Sequence, residues 1–299
     1  MNYEEFLKEC KLCPHKCMID RTNGKVGRCR ASDKIKVALA DLHFYEEPSI
    51  SGENGSGTVF FSGCNLSCKF CQNYKISQEL LGDEITVENL ADMFLNLQER
   101  NANNINLVTG FMFIPQIIEA ISIAREKGLH IPIVYNSSGY ESKDALKLLD
   151  GYIDVYLPDF KYYDNNLGKY SNVSDYFEVS SLALSEMYRQ VGEPKYEDGI
   201  LKKGIIVRHL VLPHHIEDSK NVIKYLYDTY QDNIILSIMN QYTNVKKLKY
   251  SELNDKVTKY EYDSLIDYAS DLGIENCFVQ ESASQSESFI PIFKGDKLI

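Results

Sequence analysis

The sequence predicts an α/β fold, a partial (βα)6 TIM-like barrel with a small amino-terminal cysteine-rich segment, on three observations. Apolar β-branched runs alternate with amphipathic stretches from residue 58 onward, the alternation supplies six strand candidates rather than eight, and cysteines crowd the stretch from Cys10 to Cys29. Strands alternating with helices call for βαβ units and a parallel sheet. Six units suit an open, curved barrel better than a closed eight-stranded one, and in such barrels ligands sit at the carboxyl ends of the strands.

Taken in order, residues 1–9 read as a short helix, followed by the turn-rich cysteine stretch and a strand-like run over Ile35–Ala40. The glycine-rich Ser51–Gly57 lacks the Gly-Lys-Ser/Thr ending and the following helix of a phosphate loop, so it reads as a turn entering the first barrel strand. Buried-strand candidates fall at 58–62, 104–109, 131–136, 153–157, 204–211 and 233–239. Helical stretches lie at 86–100, 114–128, 142–150, 174–191 and 217–230, with another at 258–272 before a short strand near 276–280. In the first of these, Leu90, Ala91, Phe94, Leu95 and Leu97 recur at helical spacing and mark one apolar face. The expected division is 1–57 for the cysteine-rich segment and 58–299 for the barrel, with no repeat beyond the βα alternation.

Composition bounds the function. At 299 residues the chain is one large or two small domains, long enough to bury a substantial core. A hydrophobic fraction of 44% and a charged fraction of 25% are ordinary for a globular protein. A formal net charge of −11 argues against nucleic-acid binding through a basic surface, while leaving local patches able to dock a small acidic redox partner. The start Met1-Asn2-Tyr3-Glu4-Glu5-Phe6 lacks the basic and apolar regions of a signal peptide. No apolar run reaches bilayer-spanning length, so no membrane partner is expected. The expected location is the cytoplasm, where thiols stay reduced, and there the 8 cysteines favour metal ligation over disulfides.

Cys64, Cys68 and Cys71 are spaced C-x3-C-x2-C on a loop just past the first barrel strand. Iron–sulfur clusters are held by thiolates, and a cubane of four irons bound by only three cysteines keeps one iron open. An open metal position separates a reactive site from a structural one. A structural zinc loop fits poorly, because no fourth ligand stands nearby in the sequence.

This loop, with Gly63 before its first cysteine and Phe70 before its last, resembles the cluster-binding loop of the radical S-adenosylmethionine (SAM) superfamily. The resemblance narrows to the activating enzymes of glycyl radical enzymes, of the pyruvate formate-lyase activase type, and extends over about residues 58–280. It implies a 4Fe–4S cluster on Cys64, Cys68 and Cys71 whose open iron chelates SAM, and reductive cleavage of SAM to a 5′-deoxyadenosyl radical. Phe70 would then pack near the adenine, and Asn136, Ser137 and the residues after them would form the polar cofactor-contacting segment. Asp159 and Lys161 match the family's Asp-x-Lys, for the cofactor's amino and carboxylate groups, and Arg208 matches a further arginine near the carboxylate. A zwitterionic ligand wants such a set of one acceptor and one or two cations.

Other readings stand beside these. Asp159 and Lys161 share a strand face and could form an ordinary surface ion pair, worth about 0–1 kcal/mol. A buried Arg208 could lock strand to helix, and His209 should face the other way. The second strand ends Thr109-Gly110-Phe111, where many relatives carry glutamate, so the amino group would fall to backbone carbonyls, Thr109 or Asp159. Asn240 and Gln241 stand where the family's histidine has no clear match, and one of His214 and His215 could line the mouth. Phe111, Met112 and Phe113 read first as core and second as a lining of that mouth.

The earlier cysteines, Cys10, Cys13, Cys17 and Cys29, flank tight turns as a metal knuckle does and suit tetrahedral zinc first, an auxiliary iron–sulfur cluster second, and free or substrate-interacting thiols otherwise. Cys277 reads as a packed core thiol. The resemblance implies a reductant such as flavodoxin or ferredoxin and a glycyl radical enzyme or peptide as substrate. The alternatives are radical modification of another peptide, RNA-linked or small-molecule substrate, and a cluster-bearing electron-transfer or sensor protein. No residue acting on the substrate itself is identified.

Overall fold

Ten strands form one open sheet in the computed structural model, which describes residues 4–244, 247–280 and 293. They are β1 (Ile35–His43), β2 (Ser56–Phe61), β3 (Asp83–Ile85), β4 (Ile105–Val108) and β5 (Ile133–Ser137). The rest are β6 (Val155–Pro158), β7 (Lys195–Glu197), β8 (Ile200–Leu210), β9 (Ile235–Met239) and β10 (Cys277–Val279). The order is β10-β9-β8-β6-β5-β4-β2-β1-β3, and β7 pairs with β8. Every pairing from β2 through β10 along this path is parallel, while β1 runs antiparallel to β2 and to β3. Among the described residues the edge strands β3 and β10 do not pair with each other, so the α/β barrel is partial, as expected.

The strands arise where the sequence is apolar without interruption. Every residue of β2, β4, β5, β6 and β9 is buried, the pattern of parallel strands covered on both faces. The intervening helices are Val87–Glu99, Ile114–Glu126, Lys143–Lys147, Tyr176–Val191, Ile216–Tyr230 and Lys259–Asp271. Thr86 with Asn89, and Thr258 with Glu261, close capping boxes that start the first and last of these. The stretch 142–150 yields a shorter helix than its spacing predicts, Lys143–Lys147, because turn-type bonds take over from Leu148 toward Gly151, whose φ is +83°.

The parallel register brings the carboxyl ends to one level. Val108 pairs with Asn136, Ser137 with Pro158, and Arg208 with Ser237, while Asp159 bridges to Arg208. The amino-terminal segment packs against this end. Leu7, Cys10, Leu12, Cys13, Cys29 and Ala31 belong to the same apolar core as the barrel. Fully buried Arg21 donates to the carbonyls of Met112 (2.7 Å) and Ser32 (3.0 Å), with its guanidinium over Phe113. Among the described residues, no helix is long and apolar enough to cross a membrane.

Candidate functional site

The loop after β2 is fastened on several sides before any ligand is considered. Gly63 has φ +103°, and a side chain there would meet the Cys29 carbonyl at 2.7 Å, so glycine lets the amino-terminal segment lie directly on the loop. The Ser67 and Lys69 amides donate to the carbonyls of Ser171 (3.3 Å) and Tyr170 (2.8 Å). His15 Nε2 lies 2.9 Å from the Asn65 carbonyl, and Gln78 donates to the Cys68 carbonyl at 3.1 Å.

Cys64, Cys68 and Cys71 line one cavity of roughly 390 Å³, within the usual size of a ligand pocket. Ser171 Oγ lies 3.0 Å from Cys68 Sγ and Ser77 Oγ 3.3 Å from Cys71 Sγ. Burial pushes the Cys64 thiol up, and raises Cys68 to about 11 against the pull of Lys161. Among the described residues, no three His, Cys, Asp or Glu side chains stand so as to hold a metal ion. Ligands of a cubane each take their own iron and need not converge on a single point. A set of three thiols around one cavity, with the open side toward polar strand ends, fits a cluster.

Asn136, Ser137, Asp159, Lys161 and Arg208 line the same cavity, as does Phe70, whose ring packs 5.9 Å from that of Tyr242. Lys161 ion-pairs with Asp159. Burial works against its ammonium, but the Asp159 carboxylate more than offsets this and holds Lys161 well above its usual range. Ser137 donates to Glu141 Oε2 (3.1 Å). Gly139 has φ +74°, and a Cβ on it would lie 2.0 Å from the Asp159 carbonyl, so the segment after β5 presses on the end of β6.

Arg208 has partners that sequence reasoning missed. Its Nε donates to Glu47 Oε1 (2.8 Å), its Nη2 to Glu47 Oε2 (2.6 Å), and it also pairs with Glu46. Burial opposes ionisation of Glu47, yet the guanidinium overcomes this and keeps the carboxyl below its ordinary range. Both glutamates line the cavity. The only local signal was an acidic pair before Pro48, far from Arg208 in the chain.

Thr109 and Gln241 also line the cavity, whereas Asn240 does not. Neither His214 nor His215 reaches it: His214 pairs with Asp255 (2.8 Å), and His215 lies 3.0 Å from the Tyr170 hydroxyl. His209 is buried between the Phe160 carbonyl and Ser219 Oγ, and burial pushes it down to about 4, leaving it neutral. Phe111–Phe113 form a buried 3-10 turn in the core. Cys10, Cys13 and Cys29 are buried and Cys17 half-buried, all away from the cavity lining. The half-buried Cys277 packs against the core.

The family whose sequence model matches the chain is the Radical SAM superfamily, over residues 58–226. An uncharacterized protein of Methanocaldococcus jannaschii is 28% identical over 280 residues, covering 91% of this chain and 77% of that protein. The pyruvate formate-lyase-activating enzyme of Clostridium pasteurianum is 25% identical over 231 residues, covering 75% of this chain and 87% of that protein. Among solved structures, Streptococcus suis SuiB bound to precursor peptide SuiA shares the fold, with a TM-score of 0.50 and 13% identity over 73% of this chain. The present chain spans 46% of SuiB. With the match running from β2 into the helix after β8, the chain belongs to the Radical SAM superfamily, enzymes built around a 4Fe–4S cluster and S-adenosylmethionine.

Proposed function

We propose that this chain binds a 4Fe–4S cluster through Cys64, Cys68 and Cys71 and activates a glycyl radical enzyme by abstracting hydrogen from one of its glycines. The observation that carries the reading is the meeting, in one cavity, of the three cysteines with the Asp159–Lys161 pair. When bound, the cluster would supply one electron to SAM, breaking a carbon–sulfur bond to give methionine and a 5′-deoxyadenosyl radical. The chain's own work is positioning. Asp159 would accept from the cofactor's amino group and Lys161 would face its carboxylate, a charge-assisted pairing. Asn136 and Ser137 would contribute polar contacts, and Phe70 an apolar wall for the adenine. Arg208, engaged by two glutamates, would hold the rim rather than the cofactor carboxylate. The likeness to the pyruvate formate-lyase-activating enzyme supports the activase reading. Exposed Tyr45 and Val279 at the cavity rim support a macromolecular partner, which would bury them.

After anaerobic reconstitution and reduction, by dithionite or by a flavodoxin or ferredoxin, the protein is expected to convert SAM to 5′-deoxyadenosine. Cys68→Ala is expected to abolish both the cluster and the cleavage. Mixed with a glycyl radical protein, the enzyme should produce a glycyl radical signal by electron paramagnetic resonance. Cleavage without that signal would move the assignment to another peptide, RNA or small-molecule substrate. An intact cluster without cleavage would reject the enzymatic reading altogether.

A further inference from the structure

Two serine hydroxyls face sulfurs of the cysteine loop, and one of them is hydrogen-bonded from behind. Ser171 Oγ lies 3.0 Å from Cys68 Sγ, and Tyr162 Oη lies 2.8 Å from the same Oγ. Ser171 and Tyr162 are 0% and 1% exposed, so water does not compete for either hydroxyl. The backbone fixes this distance. The carbonyls of Tyr170 and Ser171 accept from the amides of Lys69 and Ser67, on either side of Cys68. At Cys71 the hydroxyl of Ser77 is farther away, at 3.3 Å.

Proton counting sets the direction of the chain. An iron-bound thiolate has no proton to give, so the Ser171 hydroxyl must donate to Cys68. Its single proton is then used, and the Tyr162 phenol must donate to Ser171 Oγ. Burial holds the Tyr162 phenol well above its ordinary range, which keeps that donor protonated. Hydrogen bonds in series polarise one another, so the phenol strengthens the bond that Ser171 makes.

We propose that Tyr162 and Ser171 form a built-in donor relay to the Cys68 sulfur that raises the reduction potential of the cluster, a role resting on the cluster assignment above. Reduction adds negative charge, part of it on the ligating sulfurs, and a hydrogen bond to a cluster sulfur stabilises that charge. Inside a buried, low-dielectric pocket the effect is larger than at a wet surface. The relay would let a milder one-electron donor load the site, and it acts only on potential and on ligand orientation.

The test is the midpoint potential of the reconstituted protein, from a redox titration followed by electron paramagnetic resonance at fixed pH without SAM, with iron content measured for each variant. Ser171→Ala is expected to shift the midpoint to a more negative value. Tyr162→Phe should shift it the same way by less, and Ser171→Thr, which keeps the hydroxyl, should stay near the unaltered protein. Unchanged potentials in Ser171→Ala and Tyr162→Phe at full iron content would overturn the relay, as would a positive shift. If Ser171→Ala fails to retain iron, Tyr162→Phe decides, because it leaves Ser171 and its backbone bonds in place. A reconstituted parent protein without reducible iron would overturn the cluster assignment and the relay with it, an outcome visible before any potential is compared.

Discussion

Thr109 sits at the end of β4 with φ +58°, a left-handed conformation that a β-branched residue rarely adopts, and it lines the cavity. That conformation costs about 1–2 kcal/mol, and glycine would relieve it while losing about 0.5–1 kcal/mol in chain entropy. Thr109→Gly is therefore expected to gain about 0–1.5 kcal/mol in urea denaturation. If the hydroxyl serves the cofactor, the same variant should cleave SAM more slowly; a variant that is stabler and fully active would mark the strain as incidental. Arg208 poses a different question, because the sequence shows the arginine but not what holds it. Its partners, Glu46 and Glu47, lie 162 and 161 residues away in sequence and reach it because the short helix they lead into, Pro48–Ser51, packs on β8. Removing one partner from a buried ion pair costs roughly 3–5 kcal/mol through the uncompensated charge left behind. Arg208→Ala should lose about that much, and adding Glu46→Gln and Glu47→Gln should restore most of it. Failure of the glutamine pair to rescue stability in urea denaturation would show that the loss does not come from uncompensated charge on the two glutamates.

At the scale of elements, legibility followed burial. The parallel strands carry unbroken apolar runs and the major helices a one-sided stripe, so their positions were readable to within a few residues. Strands β3 and β7 are three residues each and largely exposed, and so have no period to read. The segment after β5 was readable as polar, but not as a wedge. Its Glu141 is fully buried, with Oε1 lacking a partner and Oε2 held by Ser137, and burial raises its pKa to about 8. The unfolded carboxyl titrates near 4.5. Between these values the folded chain keeps a proton that the unfolded chain has lost, so stability falls as pH rises, by up to about 1.4 kcal/mol per pH unit. His209, pushed down to about 4, exerts its pH effect below its ordinary 6.5, and Asp218, raised to about 6, exerts its own chiefly below that value. The window from about pH 6.5 to 8 is shared only with His214, which the hydrogen bond to Asp255 holds above its ordinary 6.5. Glu141 is therefore read there from the difference between two proteins that both keep His214. Glu141→Gln is expected to flatten the stability profile there, measured by urea denaturation at several pH values. Parallel profiles for the two proteins would show that the carboxyl is not held protonated.

At the scale of the whole molecule, the amino-terminal cysteines share a core with the barrel, and their chemistry bears on the stability of the entire chain. Leu7, Cys10, Leu12 and Cys29 pack in the same apolar cluster as the barrel strands, and β1 pairs along its length with β2. Within this packing Arg21 is fully buried, and its described hydrogen bonds run to two backbone carbonyls and, at 4.0 Å, to Cys10 Sγ. A buried guanidinium is expensive without negative charge nearby. Four thiolates on a divalent ion would provide it, since such a centre carries a net charge of about −2. The spacing of Cys10, Cys13, Cys17 and Cys29 suggested a donor set and favoured zinc over a second cluster, with free thiols as the remaining reading. Arg21 was unreadable as a neighbour of Cys10, because nothing local marks an arginine as buried. The four sulfurs are not arranged for a single ion in this structure, as is common for small sites whose ligands are drawn together by the metal they bind. The expected result is about one zinc per chain in the isolated protein, in addition to the cluster iron. Cys13→Ala should lose the zinc, keep the iron, and lower the thermal midpoint of the whole chain in one cooperative step, because the segment has no core of its own. Iron lost with Cys13→Ala, and no zinc in the parent protein, would identify a second cluster instead. Unchanged metal content with an unchanged midpoint would leave the four thiols as packing residues and Arg21 as a cation balanced by carbonyl dipoles alone.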